Sequence, residues 1–461
     1  MRAHEAGALH GDMGGRTPPW LKTPEDINAL APVLWPRNVL RDTDGAVRVS
    51  GVDVRELARE FGTPAYVFDE DDFRARCRDF QQAFTGAGVF YAAKAFCSKT
   101  VVRIVDEEGL NLDVCTGGEL AVALAAGMPA ERIKMHGNNK STKELVRALD
   151  AGLGWIVVDS FDEIDRLTEL ARQRGVRPRV MVRVTVGVEA HTHEFIATAH
   201  EDQKFGFSLS SGKAFDAAAR IIREDVLELA GLHSHIGSQI FDTSGFEVSA
   251  RRVLALQDSL RAELGVELPE LDLGGGFGIA YTAADDPSTP GDLAGRISKI
   301  VEQECAARRL SVPHLSFEPG RALVGPAMFT LYEVGTVKDV DGIRTYVSVD
   351  GGMSDNIRSA LYDAAYSASL VGRASAAPPM LARVVGKHCE AGDIVVKDEF
   401  LPADVQPGDL LAVPGTGAYC RSMASNYNHV PRPPVIAVAD GAARVIVRRE
   451  TEDDLLALDV G

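Results

Sequence analysis

The sequence is poor in the features that would place it in a membrane or on nucleic acid. No stretch approaches the ~18 consecutive apolar residues of a membrane span; the longest apolar-rich run lies between Leu120 and Ala130. The first thirty residues carry no basic-then-apolar signal pattern, so the expected compartment is the cytoplasm. Basic charge is short as well. Lys and Arg number 49 against 66 Asp and Glu, and the formal net charge of −17 repels phosphate backbones and anionic lipid alike. Cysteine is sparse: Cys77, Cys97, Cys115, Cys305, Cys389 and Cys420 are widely spaced, with no CxxC pair and no His cluster at zinc-finger spacing. Reduced thiols are expected, and no metal. Aromatic residues are only 7%, but 45% hydrophobic and 25% charged residues still describe a globular chain with a large core.

A length of 461 residues suggests two domains, because a single α/β barrel takes up ~250 residues. Residues 1–58 are expected as an N-terminal leader that packs on the C-terminal β-domain. From Pro64 onward, short β-branched or apolar runs alternate with amphipathic stretches. After PAYVF (64–68) come VFYAAK (89–94), NLDVC (111–115), RIKMH (132–136), WIVVD (155–159), RVMVRVT (179–185), LAGLHSH (229–235), ELDLG (270–274) and HLSFE (314–318). Thr116-x-x-Glu119, Ser141-x-x-Glu144 and Ser160-x-x-Glu163 read as capping boxes that open helices directly after strands. Eight strands with intervening helices predict a (β/α)₈ TIM barrel over 59–322, with a doubly wound open sheet as the alternative. Beyond it, strand follows strand with almost no helix, so 323–461 is predicted as a mostly antiparallel β-domain.

Chemistry in such a barrel belongs at the C-terminal strand ends. Lys94, Asp113, His136, Arg183, His233 and His235 fall there, followed by Gly274, Gly275 and Gly276, then by Glu318 and Arg321. Taken singly, each has an ordinary explanation: a lysine reaching solvent, a rim histidine, a tight turn, a surface ion pair. The conjunction is what matters. An amine, a ring able to stack, a glycine loop, a carboxylate and an arginine on one rim are the parts that hold a phosphorylated aldehyde cofactor.

The ordered motifs YAAKAF, HSHIGSQI, LDLGGGFG, EPGR, GKHCEAGD and GTGAY resemble those of the fold-type III pyridoxal-phosphate decarboxylases, over nearly the whole chain from about Trp35. The resemblance implies an alanine racemase-like barrel with a β-domain, the cofactor pyridoxal 5'-phosphate, and a homodimer with shared active sites. It makes Lys94 the Schiff-base lysine and His235 the ring stacked on the cofactor. Gly274, Gly275, Gly276, Ser238 and Arg321 become phosphate neighbours, and Glu318 the partner of the pyridine nitrogen. Asp113, Arg183, Pro319, Gly320 and Tyr419 complete the cofactor environment. Cys389 matches the proton donor and Glu390 a substrate contact, both supplied by the partner subunit, and Arg321, Arg358, Tyr362 and Tyr419 match substrate-holding positions.

Substrate choice turns on charge. Ornithine presents only a distal ammonium, whereas meso-2,6-diaminopimelate also presents a distal carboxylate, which calls for an arginine fork. Arg358 with Arg321 supplies the fork and Glu390 can take the ammonium, so decarboxylation of meso-diaminopimelate to L-lysine, the last step of lysine biosynthesis, is the expected activity. The alternatives are an ornithine- or arginine-type decarboxylase of the same fold, or a non-catalytic regulatory homologue. Alanine racemase lacks the HSHIGSQ and GKHCEAGD motifs. His191, His193 and His200, in 191–206, match no metal-ligand spacing.

Overall fold

The computed structural model describes residues 17–187, 203–340 and 343–461; His191, His193 and His200 lie outside them. The chain divides into two compact units: residues 75–278 with 287–323, and the residues up to Arg74 with Ile279–Asp286 and Val324–Gly461.

The first unit is a closed barrel. Its strands are Gly88–Ala92, Asn111–Val114, Ile133–Met135, Trp155–Val158, Arg179–Thr185, Glu228–His233, Glu270–Asp272 and His314–Phe317. Each pairs in parallel with the next, and the eighth pairs back on the first. That closure excludes the open sheet. Parallel neighbours need crossovers, which helices such as Lys99–Glu107, Thr142–Ala151 and Pro290–Arg308 provide. Leu112, Val157, Val180 and Val182 are almost completely buried, each contributing roughly 1.5–3 kcal/mol by leaving water. Of the three expected capping boxes, only Ser141–Glu144 closes in both directions. Thr116 and Ser160 do cap their helices, but Glu119 and Glu163 reach one residue further back, accepting from the N–H groups of Cys115 and Asp159. These glutamates therefore clamp the strand ends rather than the caps.

In the second unit, the long strand Met328–Val340 pairs antiparallel with Ala65–Asp69, Arg344–Val349 and Leu410–Pro414. Pro379–Val385 and Ile394–Pro402 extend the sheet. The hairpin Val435–Ala439 and Ala442–Val447 turns at Asp440-Gly441, both at positive φ as a two-residue turn matched to strand twist requires. Leu34, Trp35, Val47, Val54 and Leu57 share one core with Phe329, Leu331, Ala412 and Ile436. The sequence boundary at 59 differs from the structure, where residues up to Arg74 and Ile279–Asp286 cluster with the β unit. Ala65–Asp69 is paired on both edges, by Met328–Val340 and Val435–Ala439, and so belongs to this sheet rather than to the barrel.

Candidate active site

Lys94 lies just beyond the first barrel strand. The backbone there is clamped, with the Ala93 N–H donating to the Asp113 carbonyl (2.9 Å) and the Ala92 N–H to the Pro319 carbonyl (3.3 Å). Gly320 has to be glycine at this point, since a Cβ would stand 2.9 Å from Ala92 Cβ and 3.0 Å from its carbonyl oxygen. The Pro319-Gly320 turn can thus press on the strand that ends in the lysine. The Lys94 charge acts on Asp113, Cys115, Glu119 and His235.

Glu318 follows the eighth strand, 4% exposed, with two imidazoles on it: His136 Nε2 at 2.8 Å from Oε1 and His233 Nε2 at 3.3 Å from Oε2. Burial pushes its carboxyl up, but the two imidazoles outweigh burial and hold it well below the usual carboxylate range. Asp113, 3.6 Å from the same His136 nitrogen, goes the other way: burial first, then the charge of Glu318, raise it well above normal. Of these two carboxyls one stays ionised and the other keeps its proton, the usual outcome for like charges sharing a dry site. Burial also lowers His136 to about 3, so at neutral pH its ring is uncharged.

His235 is kept neutral by burial and by the charges of Lys94 and Arg183. Its Nδ1 accepts the Gly275 N–H at 3.2 Å, which leaves the ring proton on Nε2. Gly274 and Gly276 sit at φ +71° and +106°, and a Cβ on Gly275 would lie 2.1 Å from the Glu318 carbonyl oxygen. Only bare backbone passes between the His235 loop and Glu318. Arg321 donates from its guanidinium to Ser238 Oγ at 2.8 Å, joining a cation to a hydroxyl. Arg183 stacks on Phe205, its guanidinium carbon 4.4 Å from the ring centre. Lys94, His136, Arg183, His233, His235 and Glu318 all line one cavity of about 440 Å³. A glycine cradle with an arginine–serine pair suits a phosphate, a neutral ring suits stacking, and an ionised buried carboxylate suits a protonated ring nitrogen. The residues fit pyridoxal phosphate.

The remaining sequence-predicted residues are in the second unit. Arg358 opens the short helix Arg358–Tyr362 and is 6% exposed. It donates to Tyr366 Oη at 2.5 Å, and its guanidinium carbon lies 4.8 Å from the Tyr281 ring centre. Tyr362 is only half buried; Tyr366 and Tyr281, which sequence reasoning missed, are the rings on Arg358. Among the described residues no carboxylate comes within ion-pair distance of this guanidinium. Cys389 and Glu390 are exposed. Their loop is firmly built: His388 donates its N–H to Asp393 (2.8 Å) and touches Ser354 Oγ with Nε2 (2.8 Å), while a Cβ on Gly386 would collide with the Asp393 carboxylate at 2.3 Å. The Cys389 N–H donates to Asn428 (3.1 Å). Tyr419 holds a strained φ of +66°.

A second miss is Lys134, buried in the barrel against Asp272; the mixed pattern of RIKMH gave no sign that its lysine points inward. His136 and His233 were legible as strand-end residues, but not as the pair that flanks Glu318.

The family model of the pyridoxal-dependent decarboxylase, pyridoxal binding domain, matches residues 70–325, and the chain belongs to that family. Diaminopimelate decarboxylase of Mycobacterium tuberculosis (strain ATCC 25618 / H37Rv) is 58% identical over 440 residues, 94% of this chain and 98% of that one. The Bacillus subtilis (strain 168) diaminopimelate decarboxylase is 47% identical, over 90% and 95%. The crystal structure of diaminopimelate decarboxylase from M. jannaschii in co-complex with L-lysine superposes with a TM-score of 0.87 at 32% identity, covering 93% of this chain and 99% of that one. Within the family, the chain falls among the diaminopimelate decarboxylases.

Proposed function

We propose that this protein decarboxylates meso-2,6-diaminopimelate to L-lysine and CO₂ in the cytoplasm, as a pyridoxal-phosphate-dependent carboxy-lyase. The observation that carries the substrate is Arg358. A buried guanidinium among tyrosines, with no carboxylate partner among the described residues, lacks the counter-ion that burial of a charge demands. A distal carboxylate on the substrate supplies it. Ornithine and arginine have none, and the exposed thiol of Cys389 and the barrel lysine have no use in a non-catalytic homologue.

Pyridoxal phosphate, when bound, supplies the electron sink that lets an α-carboxylate leave. The chain's residues do the rest. Lys94 would hold the aldehyde, His235 would stack on the ring, and the glycine run with Ser238 and Arg321 would hold the phosphate. Asp113, Arg183, Pro319, Gly320 and Tyr419 shape the same site. Glu318, held ionised, keeps a proton on the ring nitrogen. The Cys389 thiol delivers a proton to the substrate α-carbon. Arg358 and Arg321 take carboxylate, Glu390 takes the distal ammonium, and Tyr362 and Tyr419 flank them. Cys389 and Glu390 are exposed on a single chain and act in the active site of the other protomer of a homodimer. Incubating the purified protein separately with meso-diaminopimelate, ornithine and arginine tests this reading: CO₂ release from the first alone is expected, and release from ornithine or arginine at a comparable kcat/KM refutes it.

A further inference from the structure

Lys134 lies in the middle of the third barrel strand, 1% exposed, and the chemistry above gives it nothing to do. A buried ammonium is retained against a large desolvation cost, so its surroundings must use the charge. Its Nζ forms an ion pair with Asp272 Oδ2, stands 3.8 Å from Glu318 Oε1, and lies over the Phe90 ring at 3.8 Å from its centre. Ser316 Oγ donates to the same Asp272 oxygen at 2.9 Å. The other oxygen of Asp272 accepts the Gly274 N–H at 2.7 Å, at the head of the glycine run.

We propose that Lys134 is a positioning residue of the cofactor site: by cancelling the charge of Asp272 inside the barrel, it keeps Glu318 a carboxylate. Three buried carboxyls meet here, Asp113, Asp272 and Glu318, together with two imidazoles, His136 and His233, and Lys94 acts on Asp113 from the rim. Lys134 is the cation shared by Asp272 and Glu318. Without it, Asp272 stays as an unneutralised anion within sight of Glu318, and two such charges do not both remain ionised in a dry interior. Asp272 keeps its Ser316 and Gly274 donors, whereas Glu318 Oε1, the oxygen facing Lys134, accepts no hydrogen bond among the described residues, so with Lys134 gone the proton settles on Glu318, which in that form no longer favours a protonated ring nitrogen. The functional consequence rests on the assignment of Glu318 to that nitrogen; the protonation state of Glu318 does not.

The test uses full-length holoenzyme labelled with ¹³C-glutamate, read by infrared spectroscopy at pH 8, together with the cofactor dissociation constant. In Lys134→Met an added protonated-carboxyl band that moves with the glutamate label is expected, along with cofactor binding weakened at least tenfold. In Lys134→Met/Asp272→Asn, which removes both charges, the band disappears and affinity returns. Asp272→Asn alone leaves the ammonium to Glu318, which then stays ionised to lower pH than in the parent protein; this reading holds even where Lys134→Met fails to fold. No added glutamate band in the single variant, or one that persists in the double, overturns the proposal. The expected bands with unchanged cofactor affinity leave Lys134 in its role and refute the assignment of Glu318 to the cofactor.

Discussion

In the barrel, buried charge is answered within the same chain: Lys134 by Asp272 and, at 3.8 Å, by Glu318, and Lys140 by Glu163 at 2.7 Å. In the β unit, Arg358 is also buried, but among the described residues its guanidinium meets phenol rings and no carboxylate, and Cys389 with Glu390 lies exposed on a hydrogen-bonded loop. The buried lysines of the barrel have their acids; this arginine does not. Complete charge networks hold a cofactor in place through every turnover. A guanidinium without an acid suits a ligand that comes and goes, and the proposed homodimer gives the exposed pair its place in another chain's site.

The widest gap between the two regions should appear in activity. Lys94→Ala abolishes decarboxylation and the reducible cofactor absorbance together, because Lys94 is the lysine that follows the first barrel strand; turnover with cofactor on another lysine, above all Lys204 of the same cavity, contradicts this. Cys389→Ala lowers kcat by about 10²–10⁴-fold, the usual worth of a positioned acid, while the cofactor spectrum stays unchanged. Arg358→Lys keeps the charge but loses the planar two-pronged donor, so kcat/KM for diaminopimelate falls at least about tenfold, ~1.4 kcal/mol, with cofactor affinity unaltered. A change within about twofold removes Arg358 from the substrate.

Stability reverses the ranking. Lys134→Met strands Asp272 and costs about 3–5 kcal/mol in urea unfolding, whereas Arg358→Met strands no acid and costs under about 1 kcal/mol. Equal losses would erase the contrast between the regions. The remaining effect is a pH slope. His136 titrates at about 3 folded against ~6.5 unfolded, so the unfolded chain binds the extra proton between those values and the stability His136 contributes falls as pH drops through that window. The stability lost in His136→Asn is therefore greatest near pH 7 and shrinks toward pH 4 by up to about 1.4 kcal/mol per pH unit. A penalty that grows on acidification contradicts a neutral His136.

The barrel strands were legible because each run announces itself locally, by β-branched residues and a following helix cap. What stayed hidden depends on distant partners. PAYVF reads as one more strand before the barrel, and only its pairing with Met328–Val340 and Val435–Ala439, far along the chain, assigns Ala65–Asp69 to the other sheet. Lys134 finds Asp272 across 138 residues, and nothing in RIKMH marks the lysine as inward. Tyr366 rather than Tyr362 touches Arg358 because the helix ends at Asp363 in a left-handed conformation (φ +50°) and the chain folds back. The catalytic rim itself was readable, since strand ends are where a barrel displays chemistry; which of its carboxyls carries the charge was not, because that follows from the burial of His136, His233 and Asp113 around Glu318.

The proposal that the β unit of one chain completes the barrel site of another is open to one direct measurement. Lys94→Ala chains and Cys389→Ala chains, each nearly inactive alone, are mixed after subunit exchange has been confirmed. Random pairing makes about half the dimers mixed, and each mixed dimer regains one intact site of two, so roughly one quarter of parent activity should return. Confirmed exchange without recovery would mean that Cys389 serves its own chain's site, or that its thiol is not the proton donor.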